Sequence, residues 1–365
     1  MIKPKVKEYL RVIDANVEDE KNVELILGSS PSTAHRIESD KSVLTLLKLC
    51  DGNHTIEEIH NLMQNEHKTS EIDINEGIQA LHREGILEEG NSSICSLSEG
   101  EAERYARHFV YYSIFTENSR YLPQEQLKNA KVTLIGMGGI GNWVSLNLAA
   151  AGVGYIKGVD HDHIELSNLT RQILFSENDI GEIKVEKAKE RLESLNSNVI
   201  FEAVPEKMNG VESVKKVIEG TDIVILSADK PEHIHYWVDQ ACYELKIPWT
   251  NVGYVDSWGV CGPLLIPDET SCLICDMKTR DVKEDRLNKT SEIAEINKRM
   301  HAPSFGPLNG LVSCMAAMEV IKHIAGYETP VTIGRRWTIN SGTMEVEIID
   351  YPKESECIQC GSQYP

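Results

Sequence analysis

The spacing of apolar and polar positions changes character near residue 90. Before it, Val6–Ile13, Val23–Leu27 and His35–Glu38 form short runs separated by polar turns, and the pattern predicts strands there. Three helices are predicted next. Ser42–Leu49 has a tight apolar face that stops at Asp51-Gly52. Thr55–Gln64 opens with Thr55 and Glu58 at the spacing of a capping box, and Ile72–Leu87 carries Ile74, Ile78, Leu81 and Ile86 at helical spacing. A small sheet with three helices is a winged-helix-like α+β layout. The polar, glycine-bounded stretch Glu89–Gly100 reads as a linker.

From Lys131 the period alternates. Strand patterns at Val132–Ile135, Tyr155–Val159, Val199–Val204, Asp222–Leu226 and Trp249–Val252 are interleaved with helical patterns at Ile140–Ala151, Val185–Leu195, Val211–Glu219 and His233–Leu245. Strands alternating with helices of this length predict a doubly wound, mostly parallel Rossmann-like α/β sheet. A long helix from about Leu308 to Ile324 and two late strands, Arg336–Asn340 and Met344–Tyr351, close the chain. The expected division is a small domain over 1–90, connecting helices over 91–125 and the α/β domain over 126–365.

Length and charge narrow the function. The 365 residues give room for two cores. With 37 basic and 57 acidic residues the net charge is −20, which disfavours a chain that coats nucleic acid or an anionic membrane. Residues 1–100 hold 10 Lys/Arg against 19 Asp/Glu, so a DNA-reading winged helix is disfavoured as well. No run reaches the roughly 18–20 apolar residues of a membrane helix, and MIKPKVKEYL lacks a signal-peptide pattern. A cytoplasmic protein without nucleic-acid or membrane partners is expected.

In a reducing compartment the nine cysteines point to metal or redox chemistry rather than disulfides. Cys272-Leu273-Ile274-Cys275 and Cys357-Ile358-Gln359-Cys360 are two Cys-x-x-Cys pairs. Four thiolates in this pattern suit a closed, tetrahedral structural Zn²⁺ site that staples the tail to the body. Two redox pairs or two disulfides are the competing reading. Cys50, Cys95, Cys242, Cys261 and Cys314 fall mainly in apolar segments and read as core or incidental residues, although the sequence leaves a chemical role open for Cys314, at a helical position beyond the loop.

Strand Val132–Ile135 runs into Gly136-Met137-Gly138-Gly139-Ile140-Gly141, which opens a helix. Glycines here allow a tight turn and let backbone N–H groups reach phosphates at the positive end of the helix. The next strand ends at Asp160, 19 residues beyond Gly141, where an acid that grips ribose hydroxyls is expected. Turn and acid together predict a nucleotide site. Downstream stand Asp162, Asn168-Leu169-Thr170-Arg171-Gln172, Gly181-Glu182-Ile183-Lys184 and Ser227-Ala228-Asp229.

In order and spacing these motifs resemble the ubiquitin-activating-type, ThiF/MoeB-like adenylating family, from about Arg104 to the C-terminus. The resemblance implies ATP rather than NAD. It also implies Asp160 as ribose ligand, Asp162 beside it, Asn168, Arg171, Gln172 and Lys184 around the triphosphate, and Asp229 as the Mg²⁺ carboxylate. Such a set makes physical sense. Attack of a carboxylate on the α-phosphorus builds charge on phosphate oxygens, which fixed cations and Mg²⁺ stabilise as pyrophosphate leaves. Arg171 and Lys184 could otherwise be two solvated cations. Arg104-Tyr105-Ala106-Arg107 resembles the family element whose arginine enters a partner subunit's site, so Arg107 and a homodimer are implied; a surface ion pair is the plainer alternative. The family favours zinc at the cysteines. Some relatives carry a nucleophilic cysteine after the first zinc pair, but Met277–His301 contains none, so an enzyme that stops at an acyl adenylate is expected.

Ser42–Gly52 with Thr55–Ile59 resembles PqqD-like precursor-recognition domains, where an extended leader peptide joins the edge of the small sheet by β-augmentation; the edge here would lie near His35–Glu38. A recognition domain fused to an adenylating domain resembles peptide-antibiotic maturation enzymes of the microcin C and pantocin A types. The expected function is ATP-dependent adenylation of a carboxyl group, a glutamate in the pantocin A type, on a ribosomally made precursor peptide, followed by intramolecular capture. The alternative is a sulfur-carrier adenylyltransferase of the ThiF/MoeB type.

Overall fold

The computed structural model describes residues 3–15, 22–28, 34–68, 70–90, 96–116, 119–275 and 303–361. The linker core 91–95 with Cys95, and the loop of Met277–His301, lie outside the described residues. The chain divides into two compact units, Met1–Glu125 and Gln126–Pro365.

In the first unit, β1 (Pro4–Val6) pairs antiparallel with β5 (Leu87–Glu89), and β2 (Val12–Asp14), β3 (Asn22–Leu27) and β4 (His35–Asp40) form an antiparallel sheet in that order. Helices α1 (Ser42–Leu49), α2 (Ile56–His67) and α3 (Glu71–Arg83) pack beside them. Alternate residues Val23, Leu25 and Leu27 of β3 point into a core with Leu46, Ile59, Met63, Ile74 and Leu81. The capping box forms as its spacing requires: Thr55 Oγ1 accepts from Glu58 N at 3.2 Å, and Glu58 Oε2 accepts from Thr55 N at 2.8 Å.

Two expectations for this unit need correction. Val6–Ile13 is not one strand: Leu10 N donates to Lys7 O at 3.1 Å, closing a turn that sends β1 to β5 and β2 to β3. The helix expected to Leu87 stops at Arg83, because Gly85 takes a left-handed φ of 68° and the chain continues as β5. Helices α4 (Glu99–Arg104), capped by Ser98, and α5 (Ala106–Tyr112) follow.

After α6 (Leu122–Asn129) come β6 (Lys131–Ile135), α7 (Gly139–Ala151), β7 (Tyr155–Val159), α8 (Lys184–Leu195), β8 (Ile200–Val204), α9 (Val211–Ile218), β9 (Ile223–Leu226), α10 (Ile234–Leu245), β10 (Trp249–Val255), β11 (Trp258–Leu265), α11 (Gly306–Ala325), β12 (Arg335–Asn340) and β13 (Val346–Asp350). The sheet order is β13-β12-β11-β10-β9-β6-β7-β8. It is parallel from β10 to β8 and antiparallel from β10 to β13. Strand β11 is absent from the expected set: its apolar run is buried almost throughout and lacks the alternation that marks a half-exposed strand.

Strand β6 lies between β7 and β9, so the winding reverses there and the loops after β6, β7 and β9 converge on a crevice, the usual place for a ligand in such sheets. Among the described residues no helix is long and apolar enough to cross a membrane.

Candidate active site and cysteine cluster

The glycine turn is shaped by two close approaches. Gly136 has a φ of 101°, and a Cβ on it would meet Ala228 N at 2.8 Å. A Cβ on Gly141 would overlap the Gly136 carbonyl oxygen. Only glycine satisfies the first backbone and the second packing distance at low cost. Gly138 caps α7 with no side-chain bond, so the first N–H groups of the helix, from Gly139 onward, are left to face an anion.

A chain of hydrogen bonds leads from this turn to a buried lysine. Met137 N donates to Asp160 Oδ2 at 2.7 Å, and Asp162 N donates to Asp160 Oδ1 at 2.9 Å. Lys184, at the start of α8 and 6% exposed, donates from Nζ to Asp162 Oδ2 at 2.9 Å. Burial raises the pKa of Asp162, but the bond and charge of Lys184 outweigh it and leave the carboxyl below its usual value. Asp160 therefore builds the turn.

The segment after β7 closes the other side. Asn168 Oδ1 accepts from Glu165 N at 3.2 Å, and Arg171 Nη1 donates to Ser167 O at 2.8 Å. Arg171 forms no ion pair with a carboxylate among the described residues. Gln172 is buried, yet among the described residues its Oε1 has no partner. Asp229 is exposed beyond β9, close enough for its charge to act on His235. Burial holds His235 below the usual histidine value, against a hydrogen bond to Asn251 and the Asp229 charge. In the first unit Arg107 is exposed on α5.

The four cysteines of the two pairs, separate in sequence, meet in space. Cys272, Cys275, Cys357 and Cys360 are buried with all four Sγ atoms within 4.8 Å of one another. Close pairs are Cys272 with Cys357 at 3.5 Å and Cys275 with Cys360 at 3.3 Å. Four sulfur donors in this arrangement fit a tetrahedral soft cation with no open position. Burial acts to raise the Cys357 thiol, but N–H groups of Cys360 and Gln359 outweigh it and bring it below the usual thiol value, whereas burial pushes Cys360 up. Behind them Asp239 of α10, 2% exposed, accepts from Leu273 N at 3.1 Å, Trp249 Nε1 at 3.2 Å and Gln359 Nε2 at 2.8 Å. One carboxylate thus ties both Cys-x-x-Cys turns to the α/β body.

With this geometry in view, the ThiF family matches residues 105–360. The chain belongs to the ThiF family. Like the Escherichia coli sulfur carrier protein ThiS adenylyltransferase, 28% identical over 265 residues that cover 73% of this chain and 97% of that one, it is an ATP-dependent adenylating enzyme. It is similar over nearly its whole length to Escherichia coli MccB: TM-score 0.80, 27% identity, 99% of this chain and 98% of that one. MccB has been solved with ATP and, as a microcin C7 biosynthetic enzyme, with N-formylated MccA. PaaA shares the fold, with a TM-score of 0.75 at 22% identity over 95% of this chain and all of that one.

Within this ThiF-family chain Gly136 and Gly138 follow β6, Gly139 and Gly141 open α7, Asp160, Asp162, Asn168, Arg171 and Gln172 follow β7, and Lys184 starts α8. Three buried residues that support the two sites were not anticipated. Asn142 donates from Nδ2 to Met137 O at 2.8 Å and accepts at Oδ1 from Leu174 N at 3.0 Å, pinning the turn to the following loop. Asn309 packs on Gly139, and Asp239 clamps the cysteine turns. Each is a polar residue on a buried helix face, as with Asp239 beside Val238, Ala241 and Cys242. That pattern is a readable signal of a buried bond. Cys50, Cys242 and Cys261 are buried as core residues, whereas Cys314 is exposed on α11.

Proposed function

We propose that the chain adenylates a carboxyl group of a ribosomally made precursor peptide during maturation of a peptide antibiotic. A carboxylate oxygen of the peptide attacks the α-phosphorus of ATP, the bond to the β-phosphate oxygen breaks and pyrophosphate leaves. A nucleophile within the peptide then takes the acyl group and expels AMP. The observation that carries this reading is the extent of the similarity: it spans 98–99% of both chains with MccB but only 73% of this chain with the ThiS adenylyltransferase. The added stretch is the small α+β unit, which a sulfur-carrier enzyme of that length does without.

In this reading Arg171 and Lys184 stabilise phosphate charge, Asn168 and Gln172 orient the triphosphate and Asp160 takes the ribose. Mg²⁺ held by Asp229 would neutralise the leaving pyrophosphate. Lys184 reaches phosphates by sharing its Asp162 partner. Zn²⁺ on the four cysteines is structural. Arg107 completes the site of a second copy, which makes the enzyme a homodimer. Strand β4 has β3 on one side only, so its outer edge can take an extended leader by backbone pairing. A glutamate as the activated residue, the finer form of the proposal, rests on the resemblance to pantocin A-type enzymes.

Incubating the chain with Mg-ATP and the short peptides encoded beside its gene should release AMP and pyrophosphate and change the mass of one peptide. Unchanged masses, with turnover instead of a small protein ending in Gly-Gly, would transfer the chain to the sulfur-carrier class.

A further inference from the structure

Among the buried polar atoms without a hydrogen-bond partner in the adenylating unit is Asn309 Oδ1. Asn309 stands on the first turn of α11 and is 0% exposed. Its Nδ2 donates to Ser304 Oγ at 3.2 Å, which leaves Oδ1, among the described residues, an acceptor with nothing to accept. An unpaired buried carbonyl is costly, and a fold that keeps one invites a reason.

Its neighbours supply that reason. A Cβ on Gly139 would overlap Asn309 Nδ2 and touch Arg171 Cγ and Cδ at 3.1 and 3.2 Å, so the amide and the stem of Arg171 share one face of the glycine turn. Among the described residues the Arg171 guanidinium commits only Nη1, to Ser167 O at 2.8 Å and Thr170 Oγ1 at 3.5 Å. Nε and Nη2 have spare donors. An amide whose oxygen lacks a donor therefore lies beside the stem of a cation with uncommitted donors.

We propose that Asn309 is a positioning residue for Arg171. When a nucleotide occupies the turn, Arg171 leaves the Ser167 carbonyl, gives one N–H to Asn309 Oδ1 and turns the rest of its fork to the phosphates. A planar guanidinium with five donors can hold a protein acceptor and an anion together, which a point-like ammonium does less well. The inference rests on Arg171 as a phosphate-binding group. It also gives Gly139 a role, since a side chain there would separate the two.

The test is a double-mutant cycle on ATP affinity, measured by calorimetry with Mg-ATP on the full-length chain, which needs no knowledge of the peptide. Arg171→Ala should weaken ATP binding roughly tenfold or more. Asn309→Ala should weaken it several-fold, and the double variant should fall within about twofold of Arg171→Ala alone. Adenosine, which has no phosphate, should bind the wild type and Asn309→Ala alike; damage to the turn would weaken both ligands. If Asn309→Ala does not fold, Asn309→Ser carries the same cycle. Losses that multiply in the double variant, or an Asn309 effect equal for ATP and adenosine, overturn the proposal. An Arg171→Ala variant with unchanged ATP affinity overturns it together with the phosphate role of Arg171, while leaving the peptide reading to its own mass-change test.

Discussion

The carboxylate of Asp160 holds the glycine turn through the N–H of Met137 at 2.7 Å, from the end of the neighbouring strand. Its other oxygen takes Asp162 N, and Asp162 in turn holds Lys184. Asp160→Ala should therefore do more than remove the ribose contact proposed for it. It frees the turn and slackens the lysine, and ATP affinity should drop by ten- to a hundredfold, the scale of a charge-assisted bond or two. Asp160→Asn keeps one acceptor for Met137 N and should lose less. Equal losses in calorimetry would mean that the ribose contact alone matters.

Helix position makes Gly141 and Gly100 a matched pair. Alanine in place of helical glycine ordinarily stabilises by about 0.5–1 kcal/mol. At Gly100 of α4 nothing lies within 4 Å of the new Cβ, so Gly100→Ala should raise the melting temperature slightly. At Gly141 the Cβ would overlap a backbone carbonyl that cannot swing aside. Gly141→Ala should lower the melting temperature and abolish ATP binding, as differential scanning fluorimetry with and without ATP would register.

Asp239 accepts three bonds while nearly fully buried, and burial raises its pKa against the pull of Leu273, Gln359 and Trp249. Asp239→Ala strands those donors at a cost of about 3 kcal/mol. It should also speed the loss of Zn²⁺ to a chelating dye, because both cysteine turns lose their common anchor. Chelation of the wild-type chain should lower its melting temperature, since metal binding is coupled to folding of the tail. A chain that contains no zinc after purification from zinc-replete medium would sink the structural-zinc reading.

In the small unit Arg120, 9% exposed, lies between Glu8 at 3.0 Å and Glu88 at 3.3 Å. Arg120 and Glu88 are the buried pair, and removing the arginine leaves the Glu88 carboxylate without a partner, so Arg120→Ala should cost about 3 kcal/mol. The hydrogen bond from Arg120, with help from Lys5 and against burial, lowers the Glu8 pKa from 4.5 to about 2. A depressed carboxyl stabilises above its unfolded pKa, and that stability is lost as pH falls toward the folded value. Burial raises Glu88, which acts in the opposite direction, so the comparison is best made against Glu8→Gln. The wild-type advantage in melting temperature should be full above pH 4.5 and fade as the pH falls toward about 2. Glu8 is half-exposed, so the advantage will be small and screened by salt.

By itself the sequence determined what is local. Periodicity located most strands and helices of the α/β unit to within a residue or three, because burial on one face repeats along a single element. The glycine turn, the acid that follows it and the Cys-x-x-Cys pairs were legible because their chemistry is written in short spacings. Where periodicity weakened it misled: the run through Lys7–Leu10 hides a turn, and the helical pattern runs past Gly85 into a strand. Only the tertiary structure decided which distant groups meet. Cys272 and Cys357 are 85 positions apart, and Asp239 reaches Gln359 across 120. Asn309 reaches Gly139 through the packing of α11 against the start of α7. Nothing in the order of residues encodes those meetings directly, because they follow from sheet order and helix packing, which fold the crevice and the cysteine cluster out of separate lengths of chain.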